Sequence, residues 1–212
     1  MYTLYYSPGT ASMAVHLALI EIAAPHRLER VDFDSQAQRS DAYLRLNPLG
    51  QVPTLVIDGR PYTESAALLM MLADRHPEAR LAPPPRTAER NSWYQWQLYL
   101  SNVLGAGFRH WFYPADLGSK EHPPTVRAAL QARIEGAFAQ LDARLAANGP
   151  YILGERLSTA DLQLIMYMRW SRNMPRTALD WPALNGFAAL LRGRDSWQQL
   201  CDIENLSEWR GP

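Results

Sequence analysis

Two short stretches hold residues whose types and spacing suit chemistry on a small anion. The first is Tyr5-Tyr-Ser-Pro-Gly-Thr-Ala-Ser-Met13, where an aromatic run meets a Pro-Gly turn and then an apolar pattern of helical period. Tyr6, Ser7, Thr10 and Ser12 place hydroxyls at this junction. The helix start behind them offers backbone amides and the positive end of its dipole. A free thiol has a pKa of about 8.5, and a helix N-terminus lowers it substantially. The stretch contains no cysteine, so a thiolate there would come from a ligand. Ser12, at the helix start, is the leading hydroxyl to address such a sulfur, with Thr10 next and Tyr6 or Ser7 behind. The plainer roles are a helix cap for Ser12 and strand packing for Tyr6.

The second stretch is Asn47-Pro-Leu-Gly-Gln-Val-Pro-Thr-Leu55, followed by Thr63-Glu-Ser-Ala66. Pro53 begins a strand with no amide to give to a ladder. A cis bond before it would be a turn feature, leaving the amide and carbonyl of Val52 to pair with an extended peptide by strand addition. Glu64-Ser65 opens a helix, where amides and dipole favour a carboxylate. Together they describe a site for a small anionic peptide. Taken singly, Pro53 shapes a turn and Ser65 caps a helix.

The elements that must position these stretches follow from periodicity. Tyr2 to Tyr6 alternates as a strand, and Val15, Ala18, Leu19 and Ile22 recur at helical spacing before Pro25. A strand over His26 to Asp32 and one or two helical turns over Ser40 to Leu46 come next. Val52 to Ile57 and Arg60 to Thr63 read as strands joined by an Asp58-Gly59 turn, and a helix with Leu68, Met71 and Leu72 on one face runs to Pro77. Residues 1–78 thus form an α/β domain of order βαβαββα. Residues 79–87 carry three consecutive prolines, Pro83 to Pro85, and form a linker. Residues 88–212 show only helical patterns, at 87 to 112, 124 to 147, 158 to 172, 182 to 192 and 195 to 202, and form an all-α domain. Ser158 and Asp161 have the spacing of a capping box, a structural role.

Composition narrows the class. The formal net charge is zero, which argues against a nucleic-acid partner, since phosphate neutralisation needs a basic surface. Cys201 is the only cysteine, so no intrachain disulfide or Cys-x-x-Cys motif exists, and a reduced cytoplasm is the simplest location. No segment approaches the ~20 apolar residues that span a bilayer, so no membrane role is expected. The histidines lack metal-ligand spacing, and no metal is expected. Seven tryptophans and ten tyrosines fall mostly beyond residue 92, which points to an aromatic-rich core or pocket in the second half.

On NPLGQVPTL, ESAALL, the proline-rich linker and the GERLSTAD segment, the chain resembles the cytosolic glutathione transferases over essentially its whole length. Its opening YYSPG is most similar to the bacterial, beta-like members. The resemblance implies a thioredoxin-like N-terminal domain, a helical C-terminal domain, glutathione as co-substrate and a homodimer. It implies that Val52 pairs with the cysteinyl backbone of glutathione, that Pro53 is cis, that Glu64 and Ser65 hold the γ-glutamyl end, and that Gln51 lies beside the glycyl part. The implied activity is transfer of the thiolate to a small apolar electrophile, with isomerisation, reductive dehalogenation or peroxide reduction as related uses. The electrophile is expected between the domains, with Arg109, Trp111 and Tyr113 in its pocket; core packing is the ordinary alternative for such aromatics. The chain departs from the family where many bacterial members carry cysteine, here Ala11, and where other classes place their serine, here Gly9. A histidine of the beta-type members is also missing near Gly105. No cysteine mechanism carries over, and a non-catalytic binding or regulatory protein on the same fold is the alternative.

Overall fold

The apolar alternation of Tyr2–Tyr6 makes β1 the buried centre of a mixed sheet, with Leu4 fully inaccessible. A computed structural model describes residues 1–211 of the chain. Helix α1 (Met13–Glu21) follows β1, then come strand β2 (His26–Arg30), the short α2 (Asp41–Leu44), strands β3 (Thr54–Ile57) and β4 (Arg60–Tyr62), and helix α3 (Ser65–Arg75). The strand order is β2-β1-β3-β4. β1 runs parallel to β2, with Tyr2 opposite His26, and antiparallel to β3, with Tyr5 opposite Thr54. Asp58 and Gly59 both have positive φ, 51° and 79°, as a tight hairpin requires when its twist matches that of the flanking strands. The order is the expected βαβαββα of a thioredoxin-like domain.

The remaining helices are α4 (Ala88–Tyr99), α5 (Ala106–Phe112), α6 (Pro124–Asn148), α7 (Thr159–Trp170), α8 (Pro182–Arg192) and α9 (Asp195–Ile203). The pattern over 87 to 112 reads as one helix, but residues Leu100–Gly105 between α4 and α5 form a π-helical turn. There the hydroxyl of Tyr167 occupies the place of a side chain: a Cβ on Gly105 would lie 2.6 Å from it. Helix α7 is buried from Thr159 through Arg169. Ser158 and Asp161 form the capping box at its start.

The chain divides into two compact units. One comprises Met1–Ala82 together with the segment from Arg192 onward, and the other Pro83–Leu191. The first break falls inside the expected linker. The second sets α9 in the compact unit of the sheet, whereas the expected domain 88–212 counts it with the other helices. Its partner is α1. Arg194, just before α9, holds Glu21 at the far end of α1 through two bonds of 2.7 and 2.8 Å, and Ser196 joins the same carboxylate. The apolar face of α9, with Trp197, Leu200 and Cys201 buried, reads as amphipathic in sequence but names no partner. Among the described residues no helix is long and apolar enough to cross a membrane.

Candidate active site

The site starts at the loop between β1 and α1, which is closed by a knot of short-range bonds. The Ser7 carbonyl accepts from the Thr10 amide at 3.3 Å, the Thr10 hydroxyl at 2.7 Å and the Ser12 hydroxyl at 3.1 Å. Ser12 Oγ also accepts from the Ser7 amide at 3.3 Å and lies 3.0 Å from Thr10 Oγ1. Gly9 makes the reversal at φ +71°, a conformation that glycine takes without steric cost.

This knot reorders the expected hydroxyls. Ser12 is fully buried, sits in helical conformation at φ −71°, and caps nothing with its side chain. Its hydroxyl is engaged with Ser7 and Thr10 in this structure. Serine at a helix start ordinarily faces the first free amides; here the loop folds its hydroxyl inward instead. Thr10 is half-buried and shares its acceptor with Ser12, so Thr10 can turn outward while Ser12 keeps the loop closed. The Ala11 amide donates to no protein acceptor among the described residues. Tyr6 is half-buried with its ring 5.9 Å from His16. Burial, and secondarily the negative charge of Glu204, push its phenol pKa upward against the opposing Arg30, so the phenol remains a proton donor at neutral pH.

The second stretch is held from beneath. Tyr43 donates to the Gln51 carbonyl at 2.6 Å and Asn47 Nδ2 donates to the same oxygen at 2.7 Å, while Asn47 Oδ1 accepts from the Leu49 amide at 3.1 Å. Val31, Tyr43 and Val52 form a small core with Tyr5, Phe33, Ala37 and Leu46 against it. The Val52-Pro53 bond is cis, as the family resemblance implies. Since β3 begins at Thr54, Val52 lies outside the ladder, and among the described residues neither its amide nor its carbonyl is hydrogen-bonded. Gln51 beside it is exposed, while Pro53 is buried.

Glu64 precedes α3 at φ +70°, ψ 107°, a conformation costing a non-glycine residue about 1–3 kcal/mol and characteristic of ligand clamps. Its side chain is exposed. Ser65 donates its hydroxyl to the Ala11 carbonyl at 3.0 Å. That bond brings the two stretches of the sequence together: the start of α3 touches the loop before α1.

The residues expected around an electrophile separate. Trp111 is buried at 4% exposure, with the Arg127 guanidinium 3.2 Å from its ring centroid and donating to its carbonyl. It is a core residue, a correction to the expected pocket, because α5 turns this face inward. Arg109 forks onto Asp116 and stacks 4.1 Å over Tyr113. Tyr113 is 45% and Phe112 44% exposed. Phe112 joins Phe108, Tyr167 and half-buried Trp170 in one aromatic cluster. The sequence reading missed Trp170, Asn47 and Tyr43. The spacing of Phe108 and Phe112 marks one helix face, but nothing local links it to Trp170 on α7.

Comparisons with known proteins agree in kind. A family model described as glutathione S-transferase, N-terminal domain, matches residues 10–75, and one described as glutathione S-transferase, C-terminal domain, matches residues 124–210. Glutathione S-transferase GstA of Escherichia coli O157:H7 is 33% identical over 79% of this chain and 81% of its own length. Glutathione S-transferase GST-4.5 of Xanthomonas campestris is 30% identical over 96% of this chain and 99% of its own. A sphingomonad glutathione S-transferase solved with glutathione superposes with a TM-score of 0.85 at 28% identity, covering 97% of this chain and all of that one.

Proposed function

As a member of the glutathione S-transferase family this chain is a glutathione-using enzyme, and we propose that its thiolate is formed at the loop before α1 without a protein thiol. The observation that carries this reading is the Ser65 bond to Ala11, which sets a carboxylate-binding helix start and a thiol-binding helix start side by side. Val52 pairs with the cysteinyl backbone of glutathione, Gln51 lies beside the glycyl end, and Glu64 with Ser65 takes the γ-glutamyl end. The sulfur then meets the Ala11 amide, the dipole of α1 and the Thr10 hydroxyl once Thr10 turns from Ser7. The thiol proton leaves to solvent, and the sulfur attacks the electrophilic carbon with its electron pair. The C–S bond forms while the leaving group, halide for an aryl halide, departs to solvent with the pair of the bond broken at that carbon. Arg109 and Tyr113, with Phe112 and Trp170, offer an aromatic face with one cation to a small apolar electrophile. The reading includes a homodimer and a cytoplasmic location, supported by the family resemblance alone, and sedimentation at micromolar concentration tests the dimer.

Calorimetry with glutathione, paired with titration of the ultraviolet absorbance of the bound thiolate, tests the reading. Wild type should bind saturably, and Ser65→Ala should weaken binding by ~1.5–3 kcal/mol, the range for a hydrogen bond to a charged group. Thr10→Ala should raise the bound thiol pKa by about one to two units, since a bond to a thiolate contributes ~1.5–3 kcal/mol. Ser12→Ala should instead lower stability by ~1–3 kcal/mol, because it strands the Ser7 amide. Absence of saturable heat at millimolar glutathione sinks the reading; a bound thiol with its free pKa marks a binding protein without catalysis.

A further inference from the structure

The loop at Gly9 is held from a second side by a residue almost two hundred positions away. Glu204 Oε2 accepts from the Gly9 amide at 2.8 Å, and Glu204 Oε1 lies 2.8 Å from His16 Nδ1. Glu204 is 2% exposed and His16 fully buried. A carboxylate taken out of water at this depth costs several kcal/mol unless its oxygens are satisfied, and here each oxygen has one directed donor. The second imidazole nitrogen, His16 Nε2, is buried without a partner, so the ring is oriented by Glu204.

Local sequence explains how Glu204 comes to stand there. Asn205 takes φ +53° directly after α9. The Leu206 amide bonds back to Cys201 O at 2.9 Å and the Asn205 amide to Asp202 O at 3.3 Å. This is a Schellman ending with asparagine in the left-handed position, and it fixes Glu204 as the capping residue directly after Ile203, the last residue of the helix. Arg194 clamps the opposite end of α9 to Glu21, so α9 lies along α1 with its end at the loop that α1 begins from. The groups that face Glu204 are His16 from α1 and, more distantly, the Tyr6 phenol from β1, whose field also includes Arg30; His26 stacks against His16 from β2 at 5.7 Å.

We propose that Glu204 is a positioning residue for thiol activation: by holding the Gly9 amide and His16 together it sets the loop whose Thr10 hydroxyl and Ala11 amide meet the sulfur of glutathione. The proposal rests on the glutathione site described above. It is a matter of reach, not of charge. Glutamine in this place can accept from Gly9 with its oxygen and donate to His16 Nδ1 with its amide, the imidazole proton moving to Nε2. Aspartate keeps the charge but is one methylene short of spanning both partners.

The test uses full-length wild type, Glu204→Ala, Glu204→Asp and Glu204→Gln, with three readouts: affinity for S-methylglutathione, pKa of the bound glutathione thiol, and kcat against KM with an activated aryl halide. S-methylglutathione has no thiol, so its affinity reports the peptide site alone and should be the same in all four proteins. Alanine and aspartate should raise the thiol pKa and lower kcat about 10- to 100-fold, the scale for a displaced catalytic group, with little change in KM. Glutamine should restore both. If alanine does not fold, the aspartate and glutamine pair decides, and the Gly9 amide of wild type should in any case be protected from hydrogen exchange. A glutamine variant as impaired as aspartate, an aspartate variant with the wild-type thiol pKa, or an unprotected Gly9 overturns the proposal. A wild type that fails to bind S-methylglutathione overturns the glutathione site itself, and with it the proposal, so the two failures are distinct.

Discussion

Replacing Asp161 with alanine should destabilise the protein by about 3–5 kcal/mol, the range for breaking a buried polar network. Its carboxylate is fully buried and accepts from the Ile152 amide at 2.8 Å, the Ser158 amide at 2.7 Å and the Ser158 hydroxyl at 2.8 Å. Removing it strands two buried amides, each costing about 1–3 kcal/mol, and removes the cap of α7, worth ~1 kcal/mol. Equilibrium urea unfolding measures the loss as a lower midpoint at unchanged slope. The size of the gap should depend on pH. Burial raises the Asp161 pKa from its ordinary value to about 6, against the pull of its hydrogen bonds. A raised folded-state pKa means that the folded protein holds the proton longer than the unfolded chain. The associated stability is therefore present in full below the unfolded pKa and is lost as pH rises through about 6. Between pH 5 and 7 the advantage of wild type over Asp161→Ala should narrow by ~1 kcal/mol. A gap that widens over that interval contradicts the assigned cause.

Asn47→Ala should weaken glutathione binding by about 10- to 100-fold while leaving the thiol pKa of the bound tripeptide in place. Asn47 is 3% exposed, and its side chain bonds the backbone of the turn at Gln51 and Leu49. Its two side-chain bonds, to Gln51 O and from the Leu49 amide, fix the turn that leads into Val52, so the loss is one of preorganisation. Tyr43 still holds Gln51 O, which bounds the effect. Asn47→Asp is the sharper variant: it keeps an acceptor for Leu49 but sets a carboxylate oxygen against the Gln51 carbonyl, and should bind no better than alanine. Calorimetry with glutathione reads both. Wild-type affinity in either variant shows that the turn is set by Tyr43 alone. The contrast with Glu204 is diagnostic, since one residue governs affinity and the other the acidity of the sulfur.

Much of the molecule is decided by short-range physics and is legible in order along the chain. Alternation over Tyr2–Tyr6, the Asp58-Gly59 hairpin, the start of α3 at Ser65 and the Ser158/Asp161 cap each depend on residues within a few positions, and each stands where its pattern puts it. Whereas the cis bond before Pro53 is implied by the family resemblance and not by local pattern, the break at the three prolines belongs to the same class. The hydroxyls of the first loop do not. Residue type marks Thr10 and Ser12 as free hydroxyls, but the Ser7 knot engages both, because a serine or threonine at a helix start has two ways to spend its proton. Trp111 reads as a pocket residue until Arg127, on another helix, covers it.

The sequence by itself therefore determined the thioredoxin-like order of the first unit, the helical character of the second and the two stretches proposed to hold glutathione. Tertiary structure alone decided where α9 docks, that the Thr10 and Ser12 hydroxyls both turn to Ser7, and that Glu204 supports Gly9. The physical reason lies in sequence separation. A turn or cap is selected by dihedral preference and one or two near neighbours, whereas Glu204 and Gly9 are joined by one hydrogen bond across 195 positions. That bond exists only because the apolar face of α9, which matches any apolar surface equally in sequence, is seated on α1.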